Sequence, residues 1–298
     1  MTRITPKTAL LLTLPPLLWA GNAVVGRLMV GTVAPLTLNF LRWLLAAAIL
    51  LPLGWRVLRS GSPLWQRWRR FSLLGLLGVG SYNSLQYLAL QTSTPINVTL
   101  IAASMPVWML GVGALLYGER PRASQVLGAA LSLAGVLFVI SRGSWDTLMQ
   151  VRLVTGDLYM LLAVLLWAGY SWMLARPSDA SAKEWHWAEF LLAQIVFGLL
   201  WSGVAVSVEW SVRDVAVPLS WPVLGALLYI AICASLVAYR CWGIGVASVG
   251  PAIAAFFSNL TPVFAAVLSA ALLGEAPAWF HAVAFGFIVG GIWVSSRR

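Results

Sequence analysis

The stretch Pro95–Glu119 reads PINVTLIAASMPVWMLGVGALLYGE. It is apolar and long enough to cross a bilayer, and a proline, Pro106, lies near its middle. A second stretch of the same kind, PAIAAFFSNLTPVFAAVLSAALLGE, runs over Pro251–Glu275. Its inner proline, Pro262, follows the first at an offset of 156 residues (262 − 106 = 156), and the same offset holds to the last residue, Arg298.

This constant offset is the sign of an internal repeat, which decides how the rest of the chain is interpreted. In membrane chains, duplicated halves with proline-interrupted helices at matching positions are typical of secondary transporters. The interruptions then indicate where the substrate binds.

The composition excludes a water-soluble globule. Of 298 residues, 60% are hydrophobic and only 9% are charged, and the mean hydropathy is +0.87, whereas soluble domains carry about 25% charged residues. The apolar runs are long and unbroken, which favours helices over the alternating pattern of a membrane barrel. A chain of this length allows about ten crossings.

The apolar runs predict an all-α membrane protein of ten transmembrane helices. They lie at about 8–28, 35–54, 71–90, 95–118, 124–141, 155–174, 188–208, 221–241, 247–273 and 279–295. Five spans per half is an odd number, so the second half enters the membrane in the opposite direction. We therefore predict two inverted five-helix repeats, 1–145 and 153–298.

The first apolar run could be a signal peptide. However, its Trp19-Ala20-Gly21 recurs inside the chain as Trp167-Ala168-Gly169. A cleaved leader would not be expected to have such a counterpart, so this run is predicted to be a retained first helix.

The basic residues predict the orientation. Alternate loops, counted from the N-terminus, hold thirteen of the 19 lysines and arginines, and the opposite loops hold only Arg27, Arg142, Arg152 and Arg213. Because positive loops stay in the cytoplasm, both termini are predicted to be cytoplasmic, in the inner membrane. This distribution explains the net charge of +10 without a nucleic-acid partner.

The segment Trp55–Arg70 mixes tryptophan with arginine. Indoles in the headgroup layer and guanidinium groups on phosphates explain this pattern, so membrane lipid is the partner expected here.

The titratable residues argue against an enzyme, a metal site and a cofactor. No histidines occur at zinc-ligand spacing, and neither His186 nor His281 is placed to activate a buried serine. The nine acidic residues all fall in loops or near predicted helix ends, so no mid-membrane carboxylate is available for proton coupling.

Polar and aromatic residues inside the spans form the predicted substrate site. Either they bond neighbouring helices or they line a shared cavity, and their contribution from both halves favours the cavity. The candidates are Trp19, Asn22, Tyr82, Gln86, Trp167, Tyr170, Ser258 and Asn259.

Two further features of the spans concern helix geometry. Pro106 and Pro262 cannot donate to the carbonyls of Ala102 and Ser258, so each is predicted to kink its helix and to serve as a hinge. The alternative is a static kink for packing.

Small residues on the last span of each half predict a close helix contact. They are Gly286 and Gly290, matched by Ala130 and Ala134. The pattern leaves open whether this contact is internal or between subunits.

The chain resembles the EamA-type drug/metabolite transporter superfamily. The resemblance rests on the Leu-Leu-Trp-Ala-Gly openings (Leu17–Gly21 and Leu165–Gly169), on Phe40-Leu41-Arg42, and on the Gly-Glu ends at Glu119 and Glu275. Within this superfamily it looks like the YddG-type exporters of aromatic amino acids. The resemblance implies a ten-helix exporter with a central cavity, acting on aromatic and other neutral amino acids.

The combined prediction is a facilitative exporter of such amino acids or similar small metabolites that works by alternating access. Two alternatives stay open at this point: an exporter of other metabolites or drugs, and a channel or pore. A phosphate carrier would need several buried basic residues, and only Arg42 and Arg240 fall in spans.

Overall fold

The computed structural model describes residues 4–93, 95–150, 152–176, 185–212, 214–218, 220–273 and 279–297. All regular structure in these ranges is helical, as the long apolar runs predict. Most helices begin at a proline or directly after a polar residue. At the start of the chain, for example, the Thr5 side chain accepts a hydrogen bond from the backbone N–H of Thr8 (3.2 Å) and caps the first helix.

The first half of the chain contains seven of the helices named here. They are α1 (Pro6–Leu28), α2 (Pro35–Gly54), α3 (Trp68–Leu74), α4 (Tyr82–Thr92), α5 (Pro95–Ala103), α6 (Met105–Tyr117) and α7 (Ala123–Ser141). The second half continues with α8 (Thr155–Ala175), α9 (Trp187–Val212), α10 (Trp221–Ala231), α11 (Ala238–Val249), α12 (Pro251–Ser258), α13 (Thr261–Leu273) and α14 (Trp279–Ser296).

Seven helices in the described part of the chain are long and apolar enough to cross a membrane, and the bent pair α5–α6 would make an eighth. The chain is thus an all-helical protein with multiple candidate spans. The predicted total of ten crossings is not confirmed by length and composition, because α3–α4 is not among these helices and Pro251–Ala265 is too short. It stays a prediction.

The proline-containing spans are broken rather than smoothly kinked. Helices α5 and α6 meet at Ser104 with a bend of 41°, and α12 and α13 are separated by Asn259-Leu260. Pro106 and Pro262 are each the second residue of the following helix, where a missing N–H leaves no intrahelical bond unmade. The carbonyl of Ser258, predicted to be freed by Pro262, accepts a hydrogen bond from the Thr261 hydroxyl (2.7 Å).

Two π-helical segments join helices at matching positions, which the sequence did not predict. Gly75–Ser81 joins α3 to α4, and Ile232–Val237 joins α10 to α11. An offset of 156 carries 75–81 onto 231–237 (75 + 156 = 231; 81 + 156 = 237), so the second segment begins one residue later than the repeat would place it. Such segments leave backbone carbonyls free for other donors and are frequent at functional sites.

The two halves pack reciprocally. The first helix of the second half, α8, packs against α4, α5 and α6, while α1 packs against α11, α12 and α13. The equivalent pairs α2 with α9 and α7 with α14 also pack against each other. A site formed by α1 and α8 together with the broken helices therefore draws on both halves.

Helices α7 and α14 pack closely through small residues, but Gly286 and Gly290 do not form this internal contact. Gly286 and Gly290 have no atoms of another element within 4 Å of where a Cβ would stand. The contact is made instead by the neighbouring face, on which a Cβ at Gly291 would lie 2.7 Å from the carbonyl oxygen of Gly128. The faces of these helices carry small residues on both sides, so spacing alone did not identify the packed one.

The segment between α2 and α3 presents the indoles expected of a lipid-facing segment. Trp55, Trp65 and Trp68 are each about half exposed. The guanidinium of Arg59 lies 4.4 Å from the Trp55 ring centre and that of Arg69 lies 5.6 Å from the Trp68 ring centre.

Candidate functional site

A cavity of about 120 Å³ lies where α1, α4, α5, α8 and α12–α13 meet. Seven of the eight predicted substrate residues line it. They are Trp19, Asn22, Tyr82, Gln86, Trp167, Ser258 and Asn259. One of the two predicted hinge prolines, Pro262, also lines the cavity, whereas Pro106 does not.

The floor of the cavity is a cluster of aromatic rings centred on Trp167, which is 2% exposed. The Trp19 ring meets it edge-on at 5.4 Å, and the Tyr82 ring lies 5.0 Å away. Trp242 and Tyr239 pack on the same indole at 5.7 and 5.3 Å. Rings of this size offer large apolar faces against which a flat apolar group can pack.

Tyr170 does not line the cavity. It lies behind Trp167, at 5.0 Å between ring centres, and its hydroxyl donates to the side-chain oxygen of Gln194 (2.9 Å). Its ring fits against Gly78, where a Cβ would lie 2.6 Å from the ring. Tyr170 therefore supports the aromatic floor from outside, because the turn of α8 that carries Trp167 directs the two rings to different sides.

Two polar atoms of the cavity wall are buried and have no protein partner. They are the hydroxyl oxygen of Ser258 and the side-chain oxygen of Asn259. The other end of the Asn259 amide is fixed, because its nitrogen donates to the Ser132 hydroxyl (2.8 Å). Since buried polar groups are nearly always satisfied, these two atoms are available to a ligand.

Asn22 is positioned by a buried arginine that the sequence did not place at the site. The side-chain oxygen of Asn22 accepts bonds from the Tyr87 hydroxyl (2.8 Å) and from Nη1 of Arg42 (3.3 Å). Arg42 is fully buried. The signal was available in the sequence, since a charge inside a membrane span is costly and is kept for a function.

Arg42 also joins α2 to the second π segment. Its Nε donates to the Ser235 hydroxyl (2.6 Å) and its Nη2 to the carbonyl oxygen of Ala234 (3.0 Å). The indole nitrogen of Trp19 donates to the same carbonyl (3.2 Å). The local π geometry thus supplies acceptors that a regular helix would have used internally.

The other arginine predicted within a span, Arg240, takes no part in the site. It is exposed, and its guanidinium lies 4.2 Å from the centre of the Trp187 ring.

The cavity reaches the exposed Arg27 near the end of α1. Towards the opposite end, α6 and α8 are packed together. The Trp172 indole donates to the carbonyl oxygen of Met109 (2.8 Å) and stacks on Tyr117 at 5.0 Å. Beyond this stack, Arg176 forms an ion pair with Glu119. Among the described residues, the cavity therefore reaches an exposed side chain at the Arg27 end, whereas packed side chains lie at the opposite end.

The first Gly-Glu pair of the repeat, Gly118-Glu119, has a physical explanation. Gly118 has a φ of 67°, a left-handed conformation that favours glycine, and it ends α6. The turn places Glu119 beside Arg176. The second pair, at 274–275, lies outside the described residues.

The carboxylates that the structure describes do not line the cavity. Glu209, which is buried, accepts from the backbone N–H groups of Leu36 and Thr37 at the start of α2 (3.1 and 2.8 Å). Asp157, also buried, accepts from Ser93, Asn97 and the Val154 N–H. Glu189 lies in the first turn of α9. Each side chain is near a helix end, as predicted.

Comparison with known proteins adds two kinds of similarity. A sequence profile of the EamA-like transporter family matches residues 6–141 and, a second time, residues 154–297. A solved crystal structure superposes with a TM-score of 0.68 over 97% of this chain and 96% of its own, at 23% identity, which concerns the fold alone.

Relatives of similar length are also transporters by their descriptions. An uncharacterized transporter from Archaeoglobus fulgidus is 28% identical over 98% of both chains. The aromatic amino acid exporter YddG from Ancylobacter novellus is 26% identical over 94% of this chain and 93% of its own.

Proposed function

Since this chain belongs to the EamA-like transporter family, and is therefore a multi-pass membrane transporter of small metabolites rather than an enzyme, we propose that it exports aromatic and other neutral amino acids or similar metabolites. The distant relative described as an aromatic amino acid exporter supports this choice of substrate. The chemistry of the cavity supports it independently.

The observation that carries the proposal is an aromatic cavity with unsatisfied polar atoms. Trp19 and Trp167 form faces for a flat side chain, and the free oxygens of Ser258 and Asn259 offer hydrogen bonds to its polar end. A carrier of phosphorylated substrates would instead present several basic groups. Here, among the residues that the structure describes, the charged one that lines the cavity is Arg27.

We infer alternating access between two inverted five-helix repeats, about 1–145 and 153–298, in the inner membrane with both termini in the cytoplasm. The reciprocal packing of α1 and α8 supports the repeats, and the constant offset between the broken helices supports a common origin. A cavity that reaches the exposed Arg27 but is covered at the other end by Trp172 and Tyr117 favours a carrier over a continuous pore. In the inferred orientation, the open end faces outward.

Reconstitution into proteoliposomes tests this function. Labelled tryptophan, leucine, a sugar and a sugar phosphate are offered to vesicles preloaded with the unlabelled compound. We expect saturable counterflow of tryptophan and leucine. Flux without saturation or counterflow would indicate a channel, and counterflow of the sugar or sugar phosphate alone would indicate an exporter of other metabolites.

A pair of tryptophan variants provides the control. Trp19→Ala removes a ring of the cavity wall and should weaken tryptophan counterflow. Trp221→Ala changes an indole that is 87% exposed at the start of α10 and should leave counterflow unchanged. Equal effects of both variants would contradict the assignment of the cavity as the substrate site.

A further inference from the structure

Arg42 brings a charge into the protein interior, and no carboxylate in the described ranges of the chain is bonded to it. Among the described residues, its hydrogen-bond partners are the neutral side chains of Asn22, Tyr87 and Ser235 and the carbonyl of Ala234. An arginine keeps its proton under all ordinary conditions. Its field acts at longer range here than in water, because a membrane interior screens charges weakly.

This charge lies directly behind the cavity wall. Asn22 is in contact with the cavity and accepts two bonds, from Arg42 and from the Tyr87 hydroxyl, on its side-chain oxygen. The amide NH₂ of Asn22 is then the group left to face a ligand. Both the arginine and the oriented amide present positive charge to the cavity.

In the described part of the chain, no negatively charged residue lines the cavity. The charged lining residue there is Arg27, and the buried carboxylates Asp157 and Glu209 are held at helix ends by N–H and O–H donors. Aromatic walls alone could also bind organic cations, since ring faces attract ammonium groups. The buried arginine decides between these alternatives, because it opposes a second positive charge and favours an anion.

Resting on the proposed function, we propose that the cavity selects its substrates by charge and takes aromatic carboxylates as a class. The carboxylate lies on the Asn22 side, and the ring packs on Trp19 and Trp167. The α-amino group is not required. Aromatic hydroxy acids and keto acids are therefore substrates alongside the amino acids, and aromatic amines without a carboxylate are excluded.

Three probes with the same indole ring test this inference. L-Tryptophan carries both charges, indole-3-lactate carries only the carboxylate, and tryptamine carries only the ammonium. Each competes with labelled tryptophan for binding to the purified full chain in lipid nanodiscs at pH 7. We expect tryptophan and indole-3-lactate to compete within a few-fold of each other, and tryptamine to compete at least about tenfold more weakly.

Arginine variants test whether Arg42 is the cause. Arg42→Lys keeps the charge and should keep the order in which the three probes compete. In Arg42→Gln, indole-3-lactate and tryptamine should compete with labelled tryptophan about equally well. The matched control is Arg240→Gln, because Arg240 is exposed and stacks on Trp187 away from the cavity. Arg240→Gln should leave the competition by all three probes unchanged.

A second variant keeps the test decisive if Arg42→Gln fails to fold. Asn22→Asp leaves Arg42 in place and adds a carboxylate of almost the same shape at the cavity wall. In this variant, indole-3-lactate should compete more weakly with labelled tryptophan and tryptamine should compete more strongly. Unchanged competition by both probes in a folded Asn22→Asp protein would overturn the inference.

The outcomes separate this inference from the proposed function. If tryptophan is bound and exchanged but tryptamine competes as well as indole-3-lactate, the exporter stands and charge selection is wrong. If tryptophan is neither bound nor exchanged, the proposed function fails, and the inference fails with it.

Discussion

At the scale of single residues, the site is defined by groups whose partners are missing or unusual. Ser258 and Asn259 line the cavity, and each has a buried oxygen without a protein partner. Arg42 holds a charge behind the cavity wall. A transporter that must release its substrate gains from such groups. They bind when a ligand is present, and they cost some stability when it is absent.

Ser258→Ala should weaken substrate binding without lowering stability. The variant removes one hydrogen bond to the ligand, so we expect the Kd for tryptophan to rise roughly two- to tenfold. The melting temperature should stay the same or rise, because the hydroxyl has no protein acceptor to lose. Calorimetric titration and thermal unfolding measure the two quantities.

Ser295→Ala is the matched control for this variant. Ser295 is equally small and is buried in α14, where its hydroxyl donates to the carbonyl of Ile292 (2.8 Å) and does not line the cavity. Its tryptophan affinity should equal that of the wild type. A similar loss in both serine variants would mean that Ser258 has a purely structural role.

At the scale of secondary-structure elements, the departures from regular helices carry the function. Each half contains one helix broken before a proline and one π segment. A carbonyl of the second π segment accepts hydrogen bonds from Arg42 and Trp19. Regular helices satisfy their own backbone and offer nothing to a ligand. Interrupted helices expose polar backbone within the membrane, and this is tolerated where it meets protein or a cavity.

Pro106→Ala and Pro262→Ala should slow transport more than they weaken binding. Alanine allows the two helix pieces to join, and a straighter helix favours one of the two access states. A bias of about 1 kcal/mol would slow exchange about fivefold. Exchange rates from counterflow and Kd values from equilibrium binding provide the comparison, and unchanged rates in both variants would leave the breaks with a packing role only.

Substitution of two adjacent glycines on α14 should affect stability differently. In Gly291→Leu the new side chain meets the backbone of Gly128, so we expect a loss of about 1–3 kcal/mol in stability. In Gly290→Leu it enters open space, and stability should stay close to that of the wild type. Thermal unfolding in matched detergent decides, and equal losses would refute the α7–α14 contact.

At the scale of the whole molecule, the cavity exists because two halves exchange their first helices. Trp19 on α1 and Trp167 on α8 come from equivalent positions and meet edge-on at 5.4 Å. The bound group would therefore touch both halves at once. The proposed alternating access would then require relative motion of the halves to open the site on either side of the membrane.

Thiol labelling should establish the inferred orientation. In a chain with Cys233 and Cys241 replaced by alanine, Ser144→Cys should react with an impermeant reagent added to intact cells. Ser60→Cys should react only after lysis. Both positions are exposed, so a difference in reactivity would report the side of the membrane, and reversed labelling would contradict the inferred orientation.

Transport should run downhill without obligatory proton exchange. The buried carboxylates of Asp157 and Glu209 are bonded at helix ends, and neither they nor Glu189 lines the cavity. Proteoliposomes with equal pH on both sides should equilibrate tryptophan, and an imposed proton gradient should not drive accumulation. Uphill uptake would refute this prediction, and Glu189→Gln would then be the first variant to test.

Much of the architecture could be predicted from the sequence because it depends on local properties. Apolarity over about 20 residues indicates a span. Pro106 and Pro262 lie at breaks between helices, whereas Pro15, Pro16 and Pro52 lie within α1 and α2. The constant offset identified the matching breaks, and seven of eight proposed substrate residues line one cavity. Polar side chains within apolar spans are few, and they gather where the membrane protein can satisfy them.

Other features were decided only by the tertiary structure. Tyr170 lies behind Trp167, Gly291 rather than Gly290 packs on α7, and Arg42 lies behind the cavity. Each depends on which face of a helix meets a neighbour, and in a uniformly apolar helix no polar face marks that choice. The two π segments were also decided by the tertiary structure, because donors from distant helices bond their free carbonyls.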